Sequence, residues 1–324
     1  MKCRICQNPE GTHYLVKELM FGLDEEFSYF ECRGCGCLQL EQVPADMAVY
    51  YPENYFSFAN EIKEQKKSVL NYLNSKRLQY GLGSGDFWGW LFSTMSRPLG
   101  YVDWLKTGGC VTESRILDVG CGHGRLLLKM AQGGMKEVYG IDPFIAEEIN
   151  YDNGVRIFRR QLSECPAEWS DHFDLIMLHH SFEHMEDPVE RLLEVKRLLK
   201  PSGTILIRVP VADSHAWRHY REHWFQIDAP RHIYLHTGRS MEYICQAAEL
   251  DIYRVESVGE LGQFTCSELY RRGIPMVNAK KKGRDFSRGQ LREFRRMTKN
   301  LNQQGEGDQS IFYLRAKGED SNCK

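Results

Sequence analysis

Two pairs of cysteines at the start of the chain have the spacing of a metal site. The pairs are Cys3-x-x-Cys6 and Cys32-x-x-Cys35. Zinc favours four thiolates in a tetrahedral arrangement, and each C-x-x-C turn can direct two sulfurs to one point. Because the residues between the pairs have the pattern of two strands, we expect a structural Zn²⁺ in a zinc ribbon. Four protein ligands would leave this ion no open position for catalysis.

Other interpretations of these cysteines stay open. Cys37 is a surplus thiol that we expect to pack beside the site, and His13 is an alternative ligand. The later cysteines are scattered along the chain, which is not the pattern of a small disulfide scaffold. The first ten residues have no apolar core, so we expect no signal peptide and predict a reducing, cytoplasmic location.

A glycine-rich turn between two predicted strands indicates a second kind of chemistry. Arg115–Val119 is a predicted buried strand, Gly120, Gly122 and Gly124 form the turn, and Asp142 ends the next predicted strand. Glycines let the backbone approach a ligand closely, and an acid at a strand end can accept hydrogen bonds from ribose hydroxyls. This order is typical of a nucleotide-binding α/β unit.

The spacing of the turn separates two classes of cofactor. A dinucleotide site requires G-x-G-x-x-G, but Leu127 occupies the position of the third glycine. Asp118 would also place a negative charge near a pyrophosphate. The pattern therefore favours a ligand with a cationic end and no phosphate.

These motifs resemble those of the class I S-adenosylmethionine-dependent methyltransferases, including their ubiquinone-methyltransferase-like group. The resemblance continues through a predicted strand at 173–178, an H-x-x-E-H sequence at 180–184 and a helix that begins at Asp187-Pro188. It covers about 115–260, with a last strand near 310–317. The resemblance implies an α/β, Rossmann-like sheet of seven strands, S-adenosyl-L-methionine as cofactor, and methyl transfer as the reaction.

The resemblance also implies which residues hold the cofactor. The glycines would lie under its methionine part, Asp118 would face its ammonium group, and Asp142 would bind its ribose hydroxyls. Residues near 161 would lie by the adenine, although the acid that the family often has there is absent. The complete expected set is Asp118, Gly120, Gly122, Gly124, Asp142, Gln161, Leu162, Leu178 and His179.

Histidines are concentrated near the expected cleft, and they are candidates for a general base. An oxygen or carbon nucleophile has to lose a proton when it is methylated. The candidate bases are His180, Glu183, His184 and His232, with His223 as a further candidate. The alternative, that such histidines are only packing or capping groups, stays open.

Residues 224–232 resemble a methyltransferase subgroup associated with sugar and cell-surface polysaccharide biosynthesis. Trp224 and the sequence DAPRH at 228–232 carry this resemblance. An aromatic ring together with Arg and His side chains suits a sugar that carries a phosphate. We therefore predict a small-molecule or saccharide acceptor that is anionic, such as a nucleotide sugar. Two alternatives are an RNA methyltransferase and a module that binds S-adenosylmethionine without catalysis.

The expected organisation has three segments. Residues 1–45 form the zinc ribbon, residues 46–112 form a helical connector or lid, and residues 113–324 form the methyltransferase domain. The connector has predicted helices at 60–80 and 87–105. Residues 271–299 form a basic insertion with eleven Lys or Arg against two acids, which suits either an anionic partner or a solvated helical face.

The overall composition narrows the class of protein. Hydrophobic residues make up 42% of the 324 residues and charged residues 27%, which excludes a mainly disordered chain. The net charge of −2 argues against a large phosphate-binding surface and makes RNA the less favoured partner. No apolar run reaches the roughly 18 residues that a membrane-spanning helix needs.

Overall fold

The computed structural model describes residues 1–51, 69–95, 99–280 and 284–318. Their strands form a four-stranded and an eight-stranded sheet. The strands are β1 (Gly11–Lys17), β2 (Glu26–Cys32), β3 (Leu38–Leu40), β4 (Arg115–Val119), β5 (Glu137–Ile141), β6 (Ile149–Asn150), β7 (Arg156–Phe158), β8 (Phe173–His179), β9 (Leu199–Pro210), β10 (Tyr234–Leu235), β11 (Leu250–Val258) and β12 (Gln309–Ala316). The helices are α1 (Val69–Gly81), α2 (Phe87–Met95), α3 (Val102–Thr107), α4 (Arg125–Gln132), α5 (Pro188–Leu198), α6 (His215–Tyr220), α7 (Gly238–Ala247), α8 (Gly262–Arg271) and α9 (Arg288–Gln303).

The larger sheet confirms the expected Rossmann-like architecture. Its strand order is β11-β12-β9-β8-β4-β5-β7-β6. Strands β7, β5, β4, β8 and β9 are parallel, whereas β12 is antiparallel to both of its neighbours. Seven of the strands make the expected sheet, and the two-residue β6 adds an antiparallel edge beside β7.

Helices cover the larger sheet because their apolar residues recur at helical spacing. In α5, Leu192, Val195 and Leu198 are fully buried against the sheet. In α4, Leu127 and Met130 are buried in the same way on a second apolar cluster. Full burial of one such side chain contributes roughly 1.5–3 kcal/mol to folding, so these helices fix the loops at the strand ends.

The smaller sheet joins the N-terminal strands to a distant part of the chain. It has the order β1-β2-β3-β10, and all three pairings are antiparallel. Strand β10 lies within the expected methyltransferase domain, so residues 1–45 do not complete their own sheet. Tyr29 and Leu40 pack in one cluster with Trp217 and Trp224, which further ties the two segments together.

The connector helices differ in extent from their prediction. Residues 60–68 of the first predicted helix lie outside the described residues, and its remainder is α1. The second predicted helix is two helices, α2 and α3, and Gly100 lies between them. Leu78 of α1 and Leu105 of α3 are buried in the cluster that also contains Leu127 of α4.

The described residues of the basic segment, 271–280 and 284–299, form the end of α8, part of the loop that follows it and most of α9. Phe294, Met297 and Leu301 of α9 pack against the cluster around Trp217. The basic side chains of α9 are exposed to solvent; they are Arg288, Arg292, Arg295, Arg296 and Lys299. Among the described residues, the helices include none with the length and apolarity that a membrane span needs.

Candidate active site

A cleft of about 1540 Å³ opens where strands β4, β5 and β8 end. Open α/β sheets bind ligands at the carboxyl ends of their strands, where the strand order reverses. The turn after β4, the residues after β5, the loop after β8 and residues 225–232 all contribute to its walls. A pocket for one drug-sized ligand has roughly 300–1,000 Å³, so this cleft has room for a cofactor and an acceptor together.

The glycine turn forms one wall of the cleft, and its backbone requires glycine. Gly120 and Gly122 have φ values of +75° and +53°, in the left-handed region that other residues avoid. A Cβ atom on Gly120 would lie 2.5 Å from the Cβ of Ser181, so the turn and the loop after β8 approach each other closely. Gly124 has φ +71° and packs against Ile157, next to the cleft lining rather than in it.

Asp142 is fixed at the end of β5 by two backbone amides. The Gly122 N–H donates to its Oδ2 atom and the Phe144 N–H donates to its Oδ1 atom, both at 2.8 Å. Burial raises the pKa of this carboxyl group, and the two amides partly oppose that effect. The side chain lines the cleft beside the glycine turn, as expected for a group that accepts hydrogen bonds from a ribose.

Asp118 brings an unsatisfied carboxyl group to the same wall. It is 3% exposed, and its Oδ1 atom has no hydrogen-bond partner among the described residues. Burial, together with the charge of Asp142, raises the pKa of Asp118 to about 8. A cation beside it would stabilise the charged form. The residues present therefore fit the ammonium and ribose groups of S-adenosylmethionine.

The other expected cofactor residues divide into two groups. Gln161, Leu162 and His179 line the cleft. Leu178 has 0% exposure and packs in the core under the sheet, because successive residues of a strand point to opposite faces. Burial, followed by the charges of His180 and Arg208, lowers the pKa of His179 to about 3, so its ring is neutral.

Four polar side chains meet at another wall of the cleft, and they are the candidate bases of the H-x-x-E-H and DAPRH sequences. The Nδ1 atom of His180 lies 3.3 Å from the Oε1 atom of Glu183, which is fully buried. The Nε2 atom of His232 lies 3.9 Å from that same oxygen. The rings of His184 and His232 are 4.7 Å apart between centroids. The fold thus brings His180, Glu183, His184 and His232 together.

Comparison with known proteins identifies the fold family. The family model described as a methyltransferase domain matches residues 87–255, which is more than half of the chain. The chain belongs to this methyltransferase family. The matched range contains the glycine turn, Asp118 and Asp142. It also contains His180, Glu183, His184 and His232.

Individual relatives of this methyltransferase match part of its length. A tRNA U34 carboxymethyltransferase of Methylococcus capsulatus is 29% identical over 126 residues, which are 36% of this chain and 39% of the relative. A ubiquinone biosynthesis O-methyltransferase of Pseudomonas aeruginosa is 30% identical over 113 residues, 33% of this chain and 48% of the relative. The chain therefore spans less than half the length of these curated relatives.

Solved structures also match the methyltransferase. A S-adenosylmethionine-dependent methyltransferase from Mesorhizobium loti has 16% sequence identity and a TM-score of 0.41. The match covers 66% of this chain and 97% of that structure.

Three aromatic residues of the methyltransferase cleft were not predicted as site residues. Tyr51, Trp104 and Phe144 line the cleft. The rings of Tyr51 and Phe144 are stacked with centroids 6.3 Å apart, and the Tyr51 hydroxyl lies 3.2 Å from Nδ1 of His184. The sequence YYPENYF at 50–56 is rich in aromatic residues and is the sequence signal for this wall; its residues 52–56 lie outside the described residues.

Two residues considered for the acceptor side lie elsewhere. Trp224 is 1% exposed and packs beside Trp217, whereas its neighbours Phe225 and Gln226 line the cleft. Its large ring is buried in the cluster that joins the small sheet to the rest of the fold. The side chain of His223 is 39% exposed and faces Glu222, outside the cleft lining.

A buried ion network supports the wall of the methyltransferase cleft that carries His232. Arg231 has 0% exposure and donates to Asp228 at 2.9 and 2.7 Å and to Glu18 at 2.8 Å. Glu18 also accepts hydrogen bonds from the backbone amides of residues 20–23. The Tyr29 hydroxyl donates to the carbonyl of His232 at 2.9 Å. The N-terminal strands thus position a loop of the cleft from behind.

The four predicted zinc ligands lie together, as the cysteine spacing indicated. One ligand atom from each of Cys3, Cys6, Cys32 and Cys35 lies within 4.8 Å of the others. The sulfurs of Cys3 and Cys35 are 3.6 Å apart, and those of Cys6 and Cys32 are 3.4 Å apart. Zn–S bonds of about 2.3 Å in a tetrahedron put sulfurs about 3.8 Å apart, so the four thiols fit Zn²⁺.

Zinc needs thiolates, and the surroundings favour that form at Cys3, whereas a hydrogen bond with Cys3 raises the pKa of Cys35 and burial raises the pKa of Cys32. A hydrogen bond with the Cys35 thiol, helped by backbone amides and the Gln39 amide and opposed by burial, lowers the pKa of Cys3 to about 4. Cys37 is buried next to the group without belonging to it. His13 is exposed and lies 2.6 Å from Glu41, which leaves the ligand set as four cysteines.

Proposed function

We propose that the protein transfers a methyl group from S-adenosyl-L-methionine to a hydroxyl of a small, anionic acceptor, such as a saccharide or nucleotide sugar. One observation supports the proposal above all. A single cleft joins an unpaired buried carboxyl group, Asp118, to the polar cluster around Glu183. The first suits a cationic cofactor, and the second suits an acceptor that must be oriented and lose a proton.

On the cofactor wall, each proposed role is supported by the position of the residue in the cleft. Gly120 and Gly122 let the backbone lie close to the ligand, Asp118 faces its ammonium group, and Asp142 holds its ribose. Gln161 and Leu162 lie at the adenine end, and His179 borders the methyl donor. Bound S-adenosylmethionine supplies a methyl group that its sulfonium already activates. The chain then has to align the acceptor and exclude water.

On the acceptor wall, we propose that His180 and Glu183 act as a pair. Glu183 is buried and orients the His180 ring, whose side chain is 32% exposed. A base held by a second polar group is a recurring arrangement in catalytic sites. In this role His180 takes the proton of the acceptor hydroxyl, while His184 and His232 complete the polar wall.

The basic part of the cleft lining supports the proposal of an anionic small molecule. Arg125, Lys129, Arg160 and Arg191 line it and can attract phosphate or carboxylate groups. The Pseudomonas aeruginosa relative is named for ubiquinone biosynthesis, which supports a small-molecule acceptor. We also propose a cytoplasmic setting, where reduced thiols stay available to the zinc that Cys3, Cys6, Cys32 and Cys35 would hold.

RNA is a second candidate acceptor, and one feature supports it. The outer face of α9 presents five exposed basic side chains, and the Methylococcus capsulatus relative is named for tRNA. Arg295 and Lys299 also line a shallow groove that shares Glu260 with the main cleft. An RNA substrate would bind with a steep dependence on salt, because its phosphates release counterions on binding. A small acceptor would show a much weaker dependence.

The proposal is tested by calorimetric titration of zinc-loaded protein with S-adenosylhomocysteine. The loss of a charge-assisted hydrogen-bonding group costs roughly 1.5–3 kcal/mol, so Asp142→Ala should weaken binding at least tenfold. Asp152→Ala, which removes an exposed acid outside the cleft, is the matched control and should leave the affinity unchanged. Equal affinities for wild type and Asp142→Ala would refute the cofactor site. No binding by folded wild-type protein would instead favour a scaffold without catalysis.

A further inference from the structure

Three side chains of the acceptor wall have the geometry of a second metal site. One ligand atom from each of Glu183, His184 and His232 lies within 4.8 Å of the others. We propose that these three residues bind a divalent transition-metal ion at the edge of the cleft. This site is separate from the four cysteines, and it deepens the proposed function by defining how the acceptor is held.

Both histidines present a free lone pair because of the hydrogen bonds behind them. The Nδ1 atom of His184 lies 2.8 Å from the carbonyl oxygen of Arg231, and that of His232 lies 2.6 Å from the carbonyl oxygen of Gln226. A carbonyl oxygen only accepts, so in both rings Nδ1 carries the proton and donates. The Nε2 atom of each ring is then the atom that we propose binds the metal. Metal-binding histidines are commonly oriented by such backbone carbonyls.

Glu183 supplies the observation that points most directly to a cation. Its side chain is 0% exposed, and its Oε2 atom has no partner among the described residues. Its other oxygen faces His180 at 3.3 Å and His232 at 3.9 Å. A buried carboxylate oxygen without a partner is costly, and native proteins rarely leave one unsatisfied. A metal ion bound by the Glu183 carboxylate together with the two imidazoles would satisfy this group.

The backbone holds the three side chains in place before any ligand arrives. The Ile233 N–H donates to the carbonyl of Glu183 at 2.9 Å, which joins the loop after β8 to the loop before β10. The Tyr29 hydroxyl fixes the carbonyl of His232 from the opposite side. Ligand atoms bound to a metal at about 2.0–2.2 Å lie roughly 3–4 Å apart. Shifts of about half an ångström would therefore complete the site.

The type of site indicates the chemistry of the acceptor. Two imidazoles and one carboxylate suit Zn²⁺, Mn²⁺, Fe²⁺ or Co²⁺, and three protein ligands leave positions open. His184 and His232 line the cleft whereas Glu183 lies behind them, so the open positions face the cleft. We expect an acceptor with two adjacent oxygen atoms, such as a vicinal diol or a catechol, one of which would be methylated. This expectation rests on the proposed function, but the metal site does not.

Direct metal binding tests the site without turnover. Protein that carries a single equivalent of zinc, held by the four cysteines, is titrated with Co²⁺ and with Mn²⁺, and bound metal is measured by absorption, by electron paramagnetic resonance and by elemental analysis after gel filtration. We expect one further equivalent beyond the zinc of the four cysteines. His184→Gln and His232→Gln should each weaken this binding by at least tenfold, because changes merely behind a metal ligand already cost 10–100-fold. Glu183→Gln should do the same.

Controls separate this site from surface binding and from the cofactor site. His215 and His219 are stacked with centroids 5.6 Å apart and form another histidine pair, so His219→Gln is the matched control and should keep full binding. The inference is overturned if wild type takes up no further equivalent, or if His219→Gln loses it while His184→Gln and His232→Gln keep it. Titration with S-adenosylhomocysteine on the same samples shows folding and the cofactor site independently. If the protein binds S-adenosylhomocysteine but no further metal, only this inference is overturned. If it binds the metal but not S-adenosylhomocysteine, only the proposed function is overturned.

Discussion

Replacement of Arg231 by methionine should destabilise the protein far more than the loss of an ordinary ion pair. The Arg231 side chain has 0% exposure and makes four hydrogen bonds, two to Asp228, one to Glu18 and one to the carbonyl of Tyr50. Methionine has a similar shape but no charge. The change would therefore leave two buried acids without their common cation.

The size of the destabilisation follows from the contacts that each acid keeps after Arg231 is replaced. Glu18 retains the backbone amides of residues 20–23, so its charge stays largely satisfied. Asp228 is 7% exposed, and its remaining ion-pair contact among the described residues is the 4.0 Å approach to His232. Removing one partner of a buried ion pair typically costs about 3–5 kcal/mol. With a urea slope of about 3 kcal/mol per molar, the unfolding midpoint of Arg231→Met should fall by about 1–1.7 M.

The assay is urea unfolding of zinc-loaded protein, followed by circular dichroism and tryptophan fluorescence. Arg33→Met is the matched control, since Arg33 pairs with Glu10 at 3.6 Å and both side chains are more than half exposed. Exposed pairs contribute roughly 0–1 kcal/mol, so the control midpoint should move by no more than about 0.3 M. If Arg231→Met moves the midpoint no further than Arg33→Met does, the buried network does not stabilise the wall of the cleft.

Two further predictions concern Asp118 and the zinc ligands. Because the pKa of Asp118 is raised to about 8, the free protein holds its proton at pH 7, and binding of S-adenosylhomocysteine, whose ammonium group would lie beside Asp118, should release it. The same shift means that the contribution of Asp118 to the free energy of unfolding falls as the pH rises from about 4 to about 8. Calorimetry in buffers of different ionisation enthalpy measures this proton release, and Asp118→Asn should abolish it. Identical apparent binding enthalpies for wild type in all buffers would contradict the proton release. Cys3→Ser should lose one equivalent of zinc in elemental analysis and unfold at lower urea, whereas Cys37→Ser should keep the zinc. Equal zinc content in wild type and Cys3→Ser would show that the four cysteines are not the ligand set.

The sequence predicted those parts of the site that depend on local patterns. The glycine turn, Asp118 and Asp142 lie within one strand-turn-helix-strand unit, where spacing along the chain determines position in space. Successive side chains of β8 point to opposite faces of the sheet, so His179 faces the cleft and Leu178 faces the core.

Contacts between distant segments could not be predicted from the sequence pattern. Arg231 meets Glu18 across 213 residues, and no periodicity or motif connects the two. The same is true of the pairing of β10 with β3. Trp224 and His232 stand in one motif, yet packing buries the first and brings the second to the cleft. Only the tertiary structure separates such neighbours.

The small sheet has a consequence for how the chain acquires its structure during synthesis. Tyr29 and His232 are in contact across 203 residues, and Cys35 and Thr237 across 202. The first forty residues therefore leave the ribosome long before the strand that completes their sheet exists. Contacts so far apart in sequence form late, because the intervening chain must first be ordered. The N-terminal segment, although first to be made, reaches its final structure only with the last half of the polypeptide, and trimming it would expose an unpaired strand edge in the finished protein.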